Sequence, residues 1–332
     1  MLEKFLQHAT ENFEISFPNR DQLTACCQRS GILRSDQTIF VFCPTKDEEL
    51  LKKILKANNV QFKINEYLAP QGAGNIFCHY KSWELHPEHK NFFVEAMKQG
   101  GWVEPLISFL DRNFGYTEVE LLNDQYFLHQ KAFSILSRKR HALIKRAFDL
   151  ALSTTLLFIT LPISIITALL IRLESKGPIL FKQTRTGLHN KEFEVIKFRS
   201  MSQDAEKDGA KWSEKNDNRV TRVGKFIRKT RIDELPQLIN VLKGEMSLIG
   251  PRPEREVFIS NLEKTIAYYR FRHSVRPGIS GLAQVKYKYG ASIEDAIWKH
   301  KYDIYYIKHY NLVLDIKILF WTIKTVAIGM GR

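Results

Sequence analysis

"LALSTTLLFITLPISIITALLI" (residues 150–171) runs for 22 residues without a charge. As one helix it is long enough to cross the roughly 30 Å hydrocarbon layer of a bilayer. Three features complicate a simple span. Pro162 lies near the middle, where it removes a helix hydrogen bond and favours a kink. Thr154, Thr155, Thr160 and Ser164 surround it, and such hydroxyls can satisfy freed carbonyls. Both flanks are basic: "RKRHALIKR" (138–146) precedes the stretch, and Arg172, Lys176, Lys182 and Arg185 follow it. Positive charge at both ends contradicts the orientation rule for one span and fits a helix that enters and leaves by the same face. On residue chemistry alone, spanning and re-entrance both stay open.

The apolar stretch separates two unlike regions. Residues 1–137 hold 14 Lys/Arg against 17 Asp/Glu, and residues 138–332 hold 36 against 19, so the formal charge of +14 resides in the second region. That asymmetry predicts an acidic or neutral domain, 1–137, joined to a basic one, 138–332, which meets an anionic partner. In the first region "TIFVFC" (38–43) and "VQFKINEY" (60–67) read as strands, and residues 45–59 and 91–101 as helices, giving a small α/β unit. "APQGAGN" (69–75) is Gly-rich but does not complete a dinucleotide-binding fingerprint. Cys26, Cys27, Cys43 and Cys78 lack zinc spacing, and with no signal peptide at the start they read as reduced cytosolic thiols. No catalytic constellation is legible here, so a structural or regulatory role is expected.

The basic region repeats one device, a guanidinium group on constrained backbone. "FKQTRTG" (181–187) supplies Gln183 and Arg185, and "VIKFRSM" (195–201) reads as a strand with Lys197 and Arg199 on one face. Arg228 and Arg231 follow, then Arg252 on "SLIGPRPE" (247–254) and Arg276 on "HSVRPGISGLAQV" (273–285). Each alone is an ordinary surface charge. Together they suit phosphate recognition, because arginine binds phosphate oxygens at two points. Inside this surround lie two adjacent acids, Asp233 and Glu234 of "TRIDELPQ" (230–237). They read as a solvated helix end, as a nucleophile with a neighbouring acid–base group, or as ligands for Mg²⁺, which is held by one or two carboxylates plus phosphate oxygens. Nucleic acid is a poor partner for a chain with a long uncharged stretch and no recognisable binding module. "LVLDIKILFWTIKTVAIG" (312–329) is too interrupted to span and reads as an interfacial or a core helix.

Residues 140–332 resemble the bacterial sugar transferases, the monotopic polyprenyl-phosphate phosphoglycosyl transferases. The resemblance rests on "KRAFDL" (145–150), "LPISIITALLIRL" (161–173), "FKQTRTG", "IKFRSM", "RKTRIDELPQLINVLKGEMSLIGPRPE" (228–254) and "RPGISGLAQV", in family order. Residues 287–320 look most like the exopolysaccharide branch. The resemblance implies an α/β N-terminal domain plus a mainly helical α+β transferase domain with a re-entrant membrane helix at about 147–173, broken at Pro162. It implies that Asp233 attacks the β-phosphate of a UDP-sugar and releases UMP. The hexose-1-phosphate, of glucose or galactose by branch or of an N-acetylhexosamine, then passes to undecaprenyl phosphate. Glu234 would bind Mg²⁺ or orient the acceptor, and Arg228 and Arg252 would contact phosphates, with Lys197, Arg199, Arg276, Gln183 and Arg185 as further substrate contacts. It also implies a site on the cytoplasmic face of the bacterial inner membrane, in contact with its lipids, as the first membrane step of glycan synthesis. A loose homodimer is compatible with the sequence. The contrasting expectation is a membrane-surface scaffold that has lost catalysis.

Overall fold

"IFVF" at Ile39–Phe42 (β1) is buried along its whole length, as a strand inside a parallel sheet must be. The structure, a computed structural model, describes residues 38–66, 75–129, 133–134, 136, 138–202, 217–287 and 292–327. The Gly-rich turn at 69–74 and the pair Cys26 and Cys27 lie outside them. The chain divides into two compact units, one ending at Glu118 and the other beginning at Val119.

In the first unit β1 pairs in parallel with β2 (Phe62–Ile64) and β3 (Ile76–His79), and β3 with β4 (Trp102–Pro105), in the order β2-β1-β3-β4. Helices α1 (Glu48–Ala57), α2 (Pro87–Lys98) and α3 (Leu106–Phe114) connect and follow the strands. Phe40, Phe42, Phe77, Phe92 and Phe93 form an aromatic core, with the Phe42 ring 5.1 Å from those of Phe92 and Phe93. Cys43 and Cys78 are buried free thiols, and burial pushes Cys43 up to about 12. That is an inert environment for a thiol.

The second unit opens with α4 (Asp124–His129), whose Phe127 ring lies 4.8 Å from those of Tyr268 and Phe271. Residues 119–129, grouped by charge with the first region, thus carry packing in the second unit. Helix α5 follows as 36 continuous residues, Lys139–Glu174. It is the one helix among the described residues long and apolar enough to cross a membrane. Its N-terminal part is tied down by three polar groups. Arg146 donates to the carbonyls of Val241 and Leu242, Lys145 pairs with Asp315 at 2.8 Å, and Asp149 accepts from the Leu248 amide. At the far end Ile171 packs with Phe198 and Ile227, and Glu174 accepts from the Val223 amide. Between these anchors Phe158, Ile159, Ile163, Ile165 and Ile166 are exposed.

The expected break at Pro162 is not a helix terminus, because Pro162 sits inside α5 with helical residues on both sides. Thr155, Thr160 and Thr167 each donate to the carbonyl one turn back, those of Ala151, Leu156 and Ile163.

The rest of the unit is small elements packed around α5. Strands β5 (Leu180–Thr186) and β6 (Glu192–Phe198) form an antiparallel hairpin. Helices α6 (Arg222–Lys229) and α7 (Gln237–Lys243) precede β7 (Ser247–Ile249). After α8 (Glu256–Leu262), β7 pairs in parallel with β8 (Gly278–Ser280). Helices α9 (Leu282–Lys286), α10 (Ile293–Lys308) and α11 (Leu312–Ala327) close the chain. The last helix packs by one face. Asp315 and Ile318 of α11 are buried, whereas Val313, Ile316, Phe320 and Ile323 are exposed.

Candidate active site

The two carboxylates lie in the tight linker between α6 and α7. Arg231 takes a left-handed φ of 60°, Ile232–Glu234 form a single 3₁₀ turn, and Pro236 leads into α7. Ile232 and Leu235 pin the turn from both sides by packing on the Ile171, Phe198 and Ile227 cluster. Asp233 and Glu234, lying between those pins, are both buried, which excludes the solvated helix end. Buried carboxylates need partners.

Glu234 has them. Its Oε1 accepts from Arg252 at 2.8 Å and from Lys197 at 3.5 Å, and its Oε2 from Arg231 at 3.3 Å. Burial opposes its charge, but Arg252, Lys197 and Arg231 outweigh that and hold it well below the usual carboxylate range. Asp233 is different. No hydrogen bond to its carboxylate is formed among the described residues. Burial and the neighbouring Glu234 raise it to about 6, against the opposing pull of Lys197, Arg252 and Arg228. Burial and Arg252 bring Lys197 down to about 8.

Each cation arrives on a rigid element. Lys197 sits on β6 opposite Phe181 of β5. Arg252 follows a turn in which two glycine backbones touch: a Cβ on Gly278 would lie 2.1 Å from the Gly250 nitrogen. The Gly250 amide donates to Ser280 and the Gly278 amide to Pro251, which closes the turn. Arg272, itself buried and paired with Asp303, donates to the Arg252 carbonyl at 2.9 Å. Arg228 lies in the last turn of α6, whose first turn approaches Ser200 so closely that a Cβ on Gly224 would meet its carbonyl at 2.0 Å. Arg185 donates to the Pro253 carbonyl and to Glu254, both at 3.3 Å, and to Gln183 at 2.5 Å, which sets these two beside the Arg252 turn.

Two expected phosphate contacts also bond backbone carbonyls. Arg199 lies just past the end of β6 and donates to the carbonyls of Ser175 and Lys176, fixing the turn after α5. Arg276 donates to the carbonyl of Gly244, the C-cap of α7. With Arg146 on Val241 and Leu242, it satisfies carbonyls that a helix end leaves without partners. Two residues enter that the sequence reading did not single out: Arg272, which holds Arg252, and Gln237, whose buried Nε2 has no hydrogen-bond partner among the described residues; Arg231, read there as one of the phosphate-binding guanidinium groups, bonds Glu234.

The family profile described as "Bacterial sugar transferase" matches residues 140–329. The chain belongs to the bacterial sugar transferase family. The match runs from α5 to the end of α11 and contains all the candidate residues. The chain is 49% identical over 205 residues to a UDP-N-acetylgalactosamine-undecaprenyl-phosphate N-acetylgalactosaminephosphotransferase of Aeromonas hydrophila, covering 61% of this chain and 48% of that protein. It is 46% identical over 186 residues to an undecaprenyl-phosphate glucose phosphotransferase of Komagataeibacter xylinus, covering 54% and 35%. With the exopolysaccharide production protein PSS of Rhizobium leguminosarum bv. phaseoli identity is 41% over 186 residues, covering 54% and 93%. The chain thus spans about half of the first relative and about a third of the second.

In this bacterial sugar transferase the arrangement assigns the two acids different chemistry. Glu234 gathers cations, while Asp233 has no hydrogen bond to its carboxylate among the described residues and is raised by burial and Glu234. As a two-carboxylate Mg²⁺ site the pair fits poorly, since both oxygens of Glu234 already accept from Arg252, Lys197 and Arg231. No cluster of three metal-ligating side chains exists among the described residues.

Proposed function

We propose that the protein transfers a sugar 1-phosphate from a UDP-sugar to polyprenyl phosphate, undecaprenyl phosphate in the bacterial membrane, through an intermediate on Asp233. An Asp233 oxygen attacks the β-phosphorus, the bond to the bridging oxygen breaks, and UMP leaves with that electron pair. A phosphate oxygen of the acceptor then attacks the same phosphorus and releases the aspartate, giving polyprenyl-diphosphate sugar. Splitting one transfer in two is covalent catalysis. The observation that carries the reading is Asp233 itself: buried, without a hydrogen bond among the described residues, and under the field of Lys197, Arg228 and Arg252. Those cations, held before substrate arrives, stabilise charge on the transferring group. A scaffold without catalysis would have no use for a carboxylate kept in this state. Any Mg²⁺ that enters with the diphosphate would meet the carboxylate of Asp233, which no hydrogen bond occupies among the described residues.

The helix α5 is read as re-entrant, with the active unit and residues 1–118 both on the cytoplasmic face of the inner membrane. Support comes from its anchors. Arg146 and Ile171 would stand about 38 Å apart on a straight helix, yet both ends bind residues 223–248 of the same unit. A helix that crossed the membrane would put one set of anchors on the wrong side. The exposed apolar residues between them then lie in lipid.

The relatives named above carry N-acetylgalactosamine and glucose, so both belong in the donor panel. The test is UMP release from UDP-glucose, UDP-galactose, UDP-GlcNAc and UDP-GalNAc with undecaprenyl phosphate and Mg²⁺ in detergent. One donor is expected to release UMP only when Asp233 is intact. No release from any donor, or equal release by Asp233→Asn, overturns the reading.

A further inference from the structure

A cavity of about 170 Å³ opens between α5 and α11, next to the carboxylate linker. Leu156 of α5, Leu238 of α7, and Leu319 and Val326 of α11 line its apolar body, and Arg231 and Glu234 stand at its polar end. The other polar groups are few and, apart from the buried Gln284 Oε1, which has no hydrogen bond among the described residues, are already engaged. Ser280 and Thr322 are bonded to each other at 2.6 Å, Thr325 donates to the Trp321 carbonyl, and the Gln284 amide donates to the Ile279 carbonyl. A uridine or a sugar, rich in donors and acceptors, would find little to bond there. An apolar group would find dispersion contacts along nearly all of the lining and leave unbonded only the Gln284 Oε1, which has no partner as it stands.

The lining therefore selects an amphiphile with a compact hydrocarbon at one end and an anion at the other. Size narrows it further. A dry cavity of about 150 Å³ accepts benzene, so this one takes a five-carbon isoprene unit. The two helices that flank it, α5 and α11, both expose apolar side chains outward, Phe158 and Ile159 on one and Phe320 and Ile323 on the other.

We infer that this cavity is the acceptor subsite: it seats the phosphate-proximal isoprene unit of polyprenyl phosphate, holds the phosphate at Arg231, and lets the remaining chain leave between α5 and α11 into lipid. This rests on the reaction proposed above and adds where its second substrate binds. The linker geometry then has a use. Arg231, in its left-handed conformation, bonds Glu234 at the polar end of the cavity, two residues before Asp233, so on this inference the acceptor phosphate arrives from the lipid side while the diphosphate meets Arg252 and Lys197.

The test separates the two half-reactions. Exchange of labelled UMP into the UDP-sugar needs no acceptor, whereas product formation does. Val326→Trp and Leu156→Trp, on different helices, plug the cavity without touching the charged groups. Each is expected to leave UMP exchange within about twofold of wild type and to raise KM for undecaprenyl phosphate about tenfold or more, the loss of a buried hydrocarbon contact. Unchanged KM in both folded variants, or equal loss of exchange and transfer, overturns the subsite. A second measurement is independent of turnover. A prenyl phosphate bearing a photoreactive group on its first isoprene unit should label peptides containing Leu156 or Leu319–Val326. Undecaprenyl phosphate should compete and phosphatidylglycerol should not. Labelling elsewhere, or equal competition by phosphatidylglycerol, overturns the inference. Absence of UMP exchange in the wild type, with labelling as expected, would instead remove the covalent intermediate and leave the acceptor subsite standing.

Discussion

Arg252 donates to Oε1 of Glu234 at 2.8 Å, and through this bond the second acid of the pair organises cations for the first. Glu234→Gln tests that division. The amide loses the charge that gathers Arg252, Lys197 and Arg231, so kcat/KM should fall by about tenfold or more. Because the charge on Glu234 helps raise Asp233, the acid limb of the pH–rate profile should move to lower pH in the variant. A metal-ligand role predicts the other result, an increased Mg²⁺ requirement with the acid limb unmoved.

Arg252→Lys keeps the charge and loses the planar fork. Lysine cannot hold Glu234 and present a second nitrogen to a phosphate in the same geometry. The expected loss in kcat/KM is about tenfold, measured with the preferred UDP-sugar. A loss below about threefold, about 0.65 kcal/mol by the rate relation, would make Arg252 a background charge.

The pH profile of the wild type should be bell-shaped. Asp233 must be ionised to attack, and it is raised to about 6 by burial and Glu234, so kcat/KM rises as pH passes through that value. Lys197 is brought down to about 8 by burial and Arg252, so the site loses a cation above it and the rate falls. Lys197→Arg should abolish the alkaline limb, because a guanidinium stays charged. An alkaline limb that persists in this variant assigns the loss to another group.

How far the sequence could be read follows the same physics. The Gly–Pro turns, the acid pair and the apolar stretch were legible because each is a local pattern. The carbonyl bonds made by Arg199 and Arg276 were not, since a guanidinium that satisfies carbonyls looks, in sequence, like one that binds phosphate. The alternation placing Arg199 beside Lys197 fails because β6 ends at Phe198. Strands β3 and β4 were missed as well, being only four residues each with no alternating pattern. Helix α5 begins at Lys139, ahead of the expected 147, because Lys145 and Arg146 find Asp315 and the α7 carbonyls instead of water. Arg272 carried no local signal at all; its role exists only once the chain brings it under the Arg252 carbonyl.

Asp233→Asn should make the protein inactive and more stable. A carboxyl raised in the folded state contributes stability that is present below its unfolded pKa and is lost as pH rises through about 6. At neutral pH the ionised group is therefore a burden, on the order of 1–3 kcal/mol for a shift of this size. The neutral amide removes it. Thermal unfolding in detergent at pH 7.5 should show Tm higher by about 3–8 °C, with the difference shrinking below pH 5. A lower Tm would mean that ionised Asp233 is stabilised by its cations and that its pKa is not raised.

The last prediction concerns topology. Residues before and after α5 should face the same compartment, because Arg146 and Asp149 near one end and Ile171 and Glu174 at the other bind one unit. Cys43 and Cys78 are buried and report poorly, so introduced thiols are required. In a chain with its four native cysteines changed to alanine, Glu88→Cys and Lys264→Cys place single thiols at exposed positions on either side of α5. A membrane-impermeant maleimide that reaches the periplasm should label neither in intact cells and both once the inner membrane is opened. Labelling of one alone in intact cells establishes a spanning helix and removes the re-entrant reading. Pro162→Ala then probes the cause. Alanine restores the missing N–H, and 22 uncharged residues in a straight helix are long enough to span. To span the membrane, α5 must release either the Arg146 bonds to α7 or the Glu174 bond to Val223 together with the packing of Ile171 beneath the Asp233 linker. Transfer activity should therefore fall in Pro162→Ala, together with the appearance of periplasmic labelling at one of the two thiols. Full activity with an unchanged labelling pattern would show that the anchors alone, without the proline, hold the helix on one side of the membrane.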